Sequence, residues 1–262
     1  MAKFCPLFSG SSGNSTYISA ESGNLLIDAG VSFKRLKAAL ENAGGSIETL
    51  SAIAITHEHS DHVGGLKTLL KNHPMPVIAS SQTLKTLRAS ELIPDGIETL
   101  VAERELAVSG LRLNRFATGH DCEGSSGYVV LLPNGERVAI CTDLGVVTEP
   151  VHKALSGCKL VLLESNHDIR LLQTGPYPPA LKMRILSERG HLSNLSCAEE
   201  IKRLYQDGTT HFILGHLSEQ NNLPMLALSA ARAALLDCGA AAENGDYFLT
   251  VAKPCGNEAV YL

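Results

Sequence analysis

One short cluster of titratable side chains restricts this chain more than any other feature. Residues 56–62 read Thr-His-Glu-His-Ser-Asp-His and directly follow the apolar run Ile53-Ala54-Ile55. The cluster holds three imidazoles and two carboxylates within six residues, which are costly to bury without partners. Imidazole and carboxylate together suit zinc, manganese or iron, whereas calcium prefers oxygen ligands alone. A strand that ends in this cluster would therefore give a metal centre a rigid frame.

The spacing within the cluster indicates two metal positions. His57 and His59 are two residues apart and can meet one ion, whereas Asp61 and His62 can turn to a second. Gly64-Gly65 then allows the backbone to turn sharply into the next helix. Glu58 and Ser60 alternate with the candidate ligands, and a role for them beside the metals stays open.

Three later strand predictions also end in a residue that binds metals. His120 follows a predicted strand at 111–117, Asp143 follows one at 137–142, and His216 follows one at 210–214. A single His or Asp in such a place is more often an ordinary loop residue. With the cluster at 57–62, however, four strand ends carry candidate ligands, and this favours one shared centre.

The order of these residues resembles the signature of the metallo-β-lactamase superfamily: His-x-His-x-Asp-His before Gly-Gly, then a His, a Thr-Asp-x-Gly segment and a final His. The resemblance implies an α/β fold, the αββα four-layer sandwich, over one domain at 1–262. It also implies two divalent ions, zinc or manganese with iron possible. The implied ligands are His57, His59 and His120 on one ion, Asp61, His62 and His216 on the other, and Asp143 as the bridge.

Four further segments resemble the YycJ/WalJ branch of this superfamily, which is associated with metal-dependent nuclease activity on DNA, including 5′-to-3′ exonuclease activity. The segments are 9–15, 164–168, 190–194 and 216–222. Only 72 residues separate Asp143 from His216, too few for the large extra domain of the RNA-processing members. The sequence also shows no exosite arm of the kind used for transfer RNA.

The resemblance implies a hydrolytic mechanism. Paired ions about 3.5–4 Å apart share a bridging hydroxide that attacks phosphorus, and Asp61 is expected to orient this nucleophile. His191 lies in a polar loop, where it either protonates a leaving oxygen, binds phosphate or has only a structural role. The candidate catalytic residues are thus Asp61 and His191.

Candidate substrate contacts come from two polar loops. The Gly/Ser loop at 9–15 can offer amides to a phosphate, and the 190–194 loop carries His191. The predicted substrate-binding residues are Ser12, Asn14, His191 and Asn194. The roles of His167, Asp168 and Tyr177 stay open.

Three functions compete. The first is a dinuclear metal-dependent phosphodiesterase, a nuclease that cleaves DNA from the 5′ end. The second is a hydrolase of a small phosphodiester or thioester metabolite, and the third is a non-catalytic metal-binding regulatory protein. The net charge of −5 and the lack of an added nucleic-acid domain favour the second. The loop motifs favour the first.

Composition indicates a cytoplasmic protein with no membrane partner. No apolar run approaches the roughly 18–20 residues that span a bilayer, and the first residues lack the apolar stretch of a signal peptide. This absence argues against antibiotic hydrolysis outside the cell. The seven cysteines are an odd number without a CxxC pair, which fits a reducing compartment. The oligomeric state does not follow from the sequence.

Periodicity and turn residues predict the elements of the fold. Strands are predicted at 4–8, 15–19, 24–27, 50–56, 111–117, 127–132, 137–142, 159–164 and 210–214. Helices are predicted at 33–40, from 66 to 71, at 179–189, from a capping box at Ser196 toward Tyr205, and at 226–236.

Overall fold

The computed structural model describes residues 2–103 and 105–262. Contacts divide the chain into two compact units. The first contains Met1–Arg115, Cys122–Glu136 and Lys253–Leu262, and the second contains Phe116–Asp121 and Arg137–Ala252. The single domain over 1–262 therefore stays a prediction.

Strands and helices alternate through most of the chain. The strands are β1 (Lys3–Phe8), β2 (Ser15–Ala20), β3 (Gly23–Ile27), β4 (Ala52–Ala54), β5 (Val77–Ala79), β6 (Thr99–Val101), β7 (Leu106–Val108), β8 (Leu111–Ala117), β9 (Ser126–Leu131), β10 (Arg137–Cys141), β11 (Leu160–Glu164), β12 (His211–Gly215), β13 (Phe248–Val251) and β14 (Val260–Tyr261). The helices are α1 (Phe33–Asn42), α2 (Ser60–Val63), α3 (Leu66–Asn72), α4 (Ser81–Ala89), α5 (Glu149–Leu155), α6 (Ile169–Thr174), α7 (Pro179–Ile185), α8 (Asn194–Gln206) and α9 (Pro224–Asp237). Within the described residues, no helix combines the length and apolar character needed to cross a membrane.

The first unit contains a mixed sheet in the order β14-β1-β2-β3-β4-β5-β6. β1, β2 and β3 pair antiparallel, whereas β3, β4, β5 and β6 pair parallel. Parallel strands end at the same edge of a sheet. The residues that follow β3 and β4 are therefore neighbours, and these residues include Asp28 and His57.

Helices α1 and α3 cover the sheet of the first unit. Their apolar faces join the strand residues in one buried core, in which Leu36 and Leu69 meet Leu26 and Ile53. Burial of this apolar surface stabilises the unit and fixes the strand ends that carry the polar cluster.

The β7–β8 hairpin, as far as Arg115, and strand β9 also belong to the first unit. Ser109 and Gly110 form its two-residue turn with φ values of 44° and 80°, as the twist of a hairpin requires. In β9 the buried Tyr128 donates its hydroxyl to the Ile55 carbonyl at 2.8 Å. This bond anchors the backbone just before the His57 cluster.

In the second unit, β10, β11, β12 and β13 pair parallel in that order. The five residues of β11 are all buried, as expected for a parallel strand covered on both faces. Helices α8 and α9 pack together beside this sheet. Because the strands are parallel, Asp143, Glu164 and His216 follow or end neighbouring strands at one edge.

Most predicted elements are present within two or three residues of their predicted bounds, but one helix start is wrong. The capping box does not begin at Ser196, because α8 begins at Asn194 and its N-cap is Ser193. The Ser193 hydroxyl accepts a hydrogen bond from the Ser196 amide at 3.1 Å, which places Ser196 inside the first turn. The sequence analysis also missed the helices α2, α4, α5 and α6. Among the strands it missed β5, β6 and β7, each of three residues, and the late strands β13 and β14. These strands are too short or too exposed to show a clear alternation of apolar residues.

Candidate metal centre

In the first unit, His57 and His59 bring their rings together after β4. His57 is fully buried, and its Nε2 lies 3.1 Å from Nδ1 of His59. The Cys122 thiol completes this group, with one donor atom from each residue and all three atoms within 4.8 Å of one another. Two imidazole nitrogens and one sulfur thus converge on a small space.

His62 is oriented by a buried carboxylate. Its Nδ1 donates to Asp28 Oδ2 at 2.8 Å, and Asp28 also accepts bonds from the Thr56 amide and hydroxyl, both at 2.8 Å. A proton on Nδ1 leaves the lone pair on Nε2, which is the form that binds a metal. Nε2 of His62 lies 3.5 Å from Asp61 Oδ2, and it accepts a hydrogen bond from the side-chain amide of Asn14 at 3.0 Å.

The loop between β1 and β2 and the loop after β3 both hold the cluster in place through backbone bonds. The backbone amide of Asn14 donates to the Asp61 carbonyl at 2.7 Å, and the backbone amide of Ala29 donates to the His62 carbonyl at 2.8 Å. A Cβ on Gly30 would lie 1.7 Å from the Asp61 carbonyl oxygen. Only glycine at position 30 therefore allows the loop after β3 to approach the Asp61 backbone this closely.

In the second unit, Glu164 joins two imidazoles. Its Oε1 accepts from Nδ1 of His191 and from Nδ1 of His216, each at 2.8 Å. Its Oε2 accepts from the amides of Leu144 and Leu192 at 3.1 and 3.2 Å. Burial raises the pKa of Glu164, but His191 and His216 outweigh burial and hold this pKa below its usual range. Glu164 is therefore an ionised, fully paired anchor.

Asp143 lies among the same side chains. Its Oδ1 is 3.6 Å from Nδ1 of His216, 3.8 Å from Nδ1 of His191 and 4.0 Å from Nε2 of His120. His120 donates from Nδ1 to the Gly190 carbonyl at 3.2 Å, and its Nε2 lies 3.3 Å from Oδ1 of Asp121. A proton on Nδ1 places the lone pair on Nε2, the form of the ring that binds metals. Burial lowers the pKa of His120, and this favours the neutral ring that metal binding requires.

The backbone is strained at three of these strand ends. Asp28, Asp143 and His216 have φ values of 61°, 60° and 55°, in the left-handed region that side chains disfavour. Such a conformation costs on the order of 1–3 kcal/mol and persists only where the surrounding structure enforces it. The fold is thus less stable than it could be, because its strained backbone orients these three side chains.

The donor atoms fit divalent metal ions. Imidazole nitrogens and carboxylate oxygens converge in each unit, and Asp143, Glu164, His191 and His216 offer donor atoms within 4.8 Å of one another. Buried carboxylates fix the rings through Nδ1, as is typical of histidines that bind metals.

Comparison with known proteins agrees with this geometry. Residues 9–216 match the family model described as "Metallo-beta-lactamase superfamily". The chain belongs to the metallo-β-lactamase superfamily. This membership confirms the predicted α/β class, with two β-sheets flanked by helices, and the predicted metal-dependent hydrolase.

Two curated relatives of this superfamily are similar over most of their length. The chain is 34% identical over 226 residues to exodeoxyribonuclease YycJ of Bacillus anthracis, covering 86% of this chain and 85% of the relative. It is 34% identical over 229 residues to exodeoxyribonuclease WalJ of Streptococcus pneumoniae serotype 2, with the same two shares. Among solved structures, the metallo-β-lactamase fold protein YhfI of Bacillus subtilis has a TM-score of 0.73 at 14% identity, covering 99% of each chain.

The structure brings the predicted ligands together within each unit. His57, His59, Asp61 and His62 form one group in the first unit. His120, Asp143 and His216 form another in the second unit, together with His191. Their joint assignment to two ions stays a prediction.

The predicted substrate residues have different environments. Ser12 is exposed. Asn14 is buried and forms hydrogen bonds with Gly10, Asp61 and His62, so it positions the cluster at 57–62. Asn194 is also buried, and its amide exchanges hydrogen bonds with Asn222. Contact of these residues with a substrate stays a prediction.

Sequence reasoning gave no role to Asp28, Glu164 or Cys122. Asp28 and Glu164 each stand at the end of an apolar strand run, as Asp143 does. The same signal that found Asp143 therefore pointed to them. Cys122 carried no signal, because its approach to His57 depends on the fold.

We expect Glu164→Gln to weaken metal binding by roughly 10- to 100-fold, the usual cost of losing a carboxylate that orients a histidine ligand. The amide cannot accept both Nδ1 protons as an ionised oxygen does. Calorimetric titration of metal-free protein with Zn²⁺ measures the change, and the exposed Glu199→Gln in α8 is the matched control. Equal affinities in the two variants would show that Glu164 does not orient the ligands.

We expect Gly30→Ala to lower both stability and metal content. The added methyl group collides with the Asp61 carbonyl, and such overpacking costs about 1–3 kcal/mol of unfolding free energy. Gly96→Ala is the control, since no atom lies within 4 Å of its Cβ and only its φ of 82° is unfavourable. Urea unfolding measures the stability of both variants, and elemental analysis measures their metal content. Gly96→Ala should keep its metal, whereas Gly30→Ala should hold less. Full metal content in Gly30→Ala would contradict the steric argument.

Proposed function

We propose that this chain is a dinuclear metal-dependent phosphodiesterase that degrades DNA from the 5′ end. The observation that carries this proposal is the 34% identity to exodeoxyribonucleases over 86% of the chain. The seven proposed ligands are His57, His59, Asp61, His62, His120, Asp143 and His216. Zinc or manganese suits this donor set, with iron as a third choice. We also propose that the enzyme acts in the cytoplasm.

Two bound ions would lower the pKa of water and stabilise charge on a phosphoryl oxygen. Around them, the side chains of the protein have separate tasks. The side-chain amide of Asn14 donates a hydrogen bond to Asp61 Oδ2 at 3.2 Å. This bond fixes the carboxylate that would orient the nucleophile. Asp28 and Glu164 hold the imidazoles, so that the geometry exists before substrate arrives.

His191 fits the role of proton donor to the leaving oxygen. Its Nδ1 bonds to Glu164, so Nε2 is the nitrogen left to meet substrate, and its side chain is 21% exposed. Burial lowers the pKa of His191, but Glu164 and Asp143 outweigh this effect and the net pKa is raised. A raised pKa keeps the ring protonated to a higher pH, as a general acid needs.

The Gly/Ser loop supports a preference for a DNA end. Ser11 and Ser12 are exposed at the tip of the loop, while Asn14 at its base bonds to Asp61. Amides at such a turn can bind a phosphate. A terminal 5′ phosphate on this loop would set the next phosphodiester near Asp61.

End-labelled DNA tests the proposal. Protein loaded with Mn²⁺ or Zn²⁺ should release nucleotides from linear single strands that carry a 5′ phosphate, and should act more slowly on strands with a 5′ hydroxyl. Asp143→Ala should be inactive, since it loses the proposed bridge, whereas the exposed Asp95→Ala should match the wild type.

Two results would contradict the proposal in different ways. Equal cutting of circular and linear strands would reject the requirement for an end. Hydrolysis of bis(p-nitrophenyl) phosphate without cleavage of any DNA would reject DNA as the substrate and leave a phosphodiesterase of small molecules.

We expect His191→Ala to keep its fold and metals and to cleave DNA roughly 10²- to 10⁴-fold more slowly, the usual worth of a positioned general acid. A p-nitrophenolate leaving group needs no proton, so that substrate should be affected much less. Steady-state kinetics on both substrates measures the contrast, with His73→Ala as the control. Equal losses on both substrates would instead indicate phosphate binding by His191.

A further inference from the structure

Cys122 lies beside the two histidines that begin the metal cluster. Its sulfur and one ring nitrogen each of His57 and His59 are within 4.8 Å of one another. Cys122 is half-buried, and His57 is fully buried. Two imidazole nitrogens and one sulfur at this separation are donor atoms that zinc binds.

The loop that carries Cys122 is held in place by the fold. Gly124 has a φ of 85°, and a Cβ there would lie 2.4 Å from the Ser80 hydroxyl. Its carbonyl accepts from the Ser126 hydroxyl at 2.7 Å and from the Thr83 hydroxyl at 3.4 Å. Ser80 is itself the N-cap of α4. The loop is thus packed against the start of a helix, which fixes the backbone next to Cys122.

The surrounding charge favours a cation at this place. Glu58 stands between the two histidines in sequence, and Glu123 directly follows Cys122. Two acidic residues are thus immediate chain neighbours of this group. A thiolate beside them is unfavourable unless a positive ion offsets the negative charge.

We propose that Cys122 binds, through its thiolate sulfur, the same ion that His57 and His59 bind. This inference rests on the metal centre of the proposed function and adds a ligand to it. Binding converts the thiol to a thiolate and releases one proton to solvent for each metal bound.

A sulfur ligand changes which metal the site prefers. Thiolate is a soft ligand that selects zinc or cobalt, whereas manganese and magnesium prefer oxygen. The His57–His59–Cys122 group therefore selects zinc over manganese. Removing the sulfur should lower zinc affinity at least about tenfold, because even indirect partners of a ligand are worth that much, and should change manganese affinity far less.

Cobalt(II) spectroscopy gives a readout that does not depend on activity. Wild-type protein loaded with Co²⁺ should show the near-ultraviolet charge-transfer band of a thiolate bound to cobalt. Cys122→Ser should lose this band and keep the visible ligand-field bands of cobalt held by the histidines. Cys255→Ser, at an exposed cysteine of the same unit, should keep both.

A second measurement uses the wild-type chain alone, in case Cys122→Ser fails to fold. Metal-free protein is treated with iodoacetamide with and without Zn²⁺, and alkylation of each cysteine is read by peptide mass spectrometry. Zn²⁺ should protect Cys122 and leave Cys255 unchanged. Protection of neither residue, or of both equally, would overturn the proposal.

The cobalt spectra give an equally clear negative result. A charge-transfer band that is absent from the wild type, or unchanged in Cys122→Ser, would show that Cys122 is not a ligand. DNA cleavage that persists beside this result would leave the proposed function intact. A band that depends on Cys122 in a protein that cleaves no DNA would reject the proposed function alone.

Discussion

Hydrogen bonds from imidazole Nδ1 to buried carboxylates are the interaction on which the histidine group of each unit depends. Asp28 accepts such a bond from His62, and Glu164 accepts one each from His191 and His216, all at 2.8 Å. Each bond fixes the orientation of its ring and places a proton on Nδ1, so that Nε2 is the nitrogen that faces away from the carboxylate. Because both carboxylates are buried, they also need these partners to avoid an uncompensated charge.

The fold supplies these carboxylates at the ends of parallel strands. Asp28 follows β3 and Glu164 ends β11, while Asp143 and His216 follow β10 and β12. Parallel pairing places consecutive strand ends at one edge of each sheet, and left-handed φ values then turn Asp28, Asp143 and His216 out of the strand direction. The apolar strands resist this strain because they are buried in a packed interior.

The side chains around these strand ends differ in the chemistry for which they are suited. The neighbouring histidines hold the pKa of Glu164 below its usual range, and both of its carboxylate oxygens accept hydrogen bonds, so this residue orients its neighbours. His191, partly exposed and with a raised pKa, is the residue beside it that is suited to proton transfer. Cys122 adds a soft donor to a group of harder ones. In the proposed mechanism, orientation, proton transfer and metal preference thus belong to different side chains.

The sequence by itself determined the α/β class, most of the longer strands, five of the nine helices in the described residues, and the cluster of candidate ligands at 57–62. It could do so because apolar periodicity reports burial, and because His57, His59, Asp61 and His62 are adjacent in the chain. Only the tertiary structure decided that Glu164 serves both His191 and His216, residues 27 and 52 positions away. It also decided that Cys122 reaches His57 and that Asn14 bonds to Asp61. These contacts join distant segments, and no local pattern encodes them, since strand pairing alone brings the segments together.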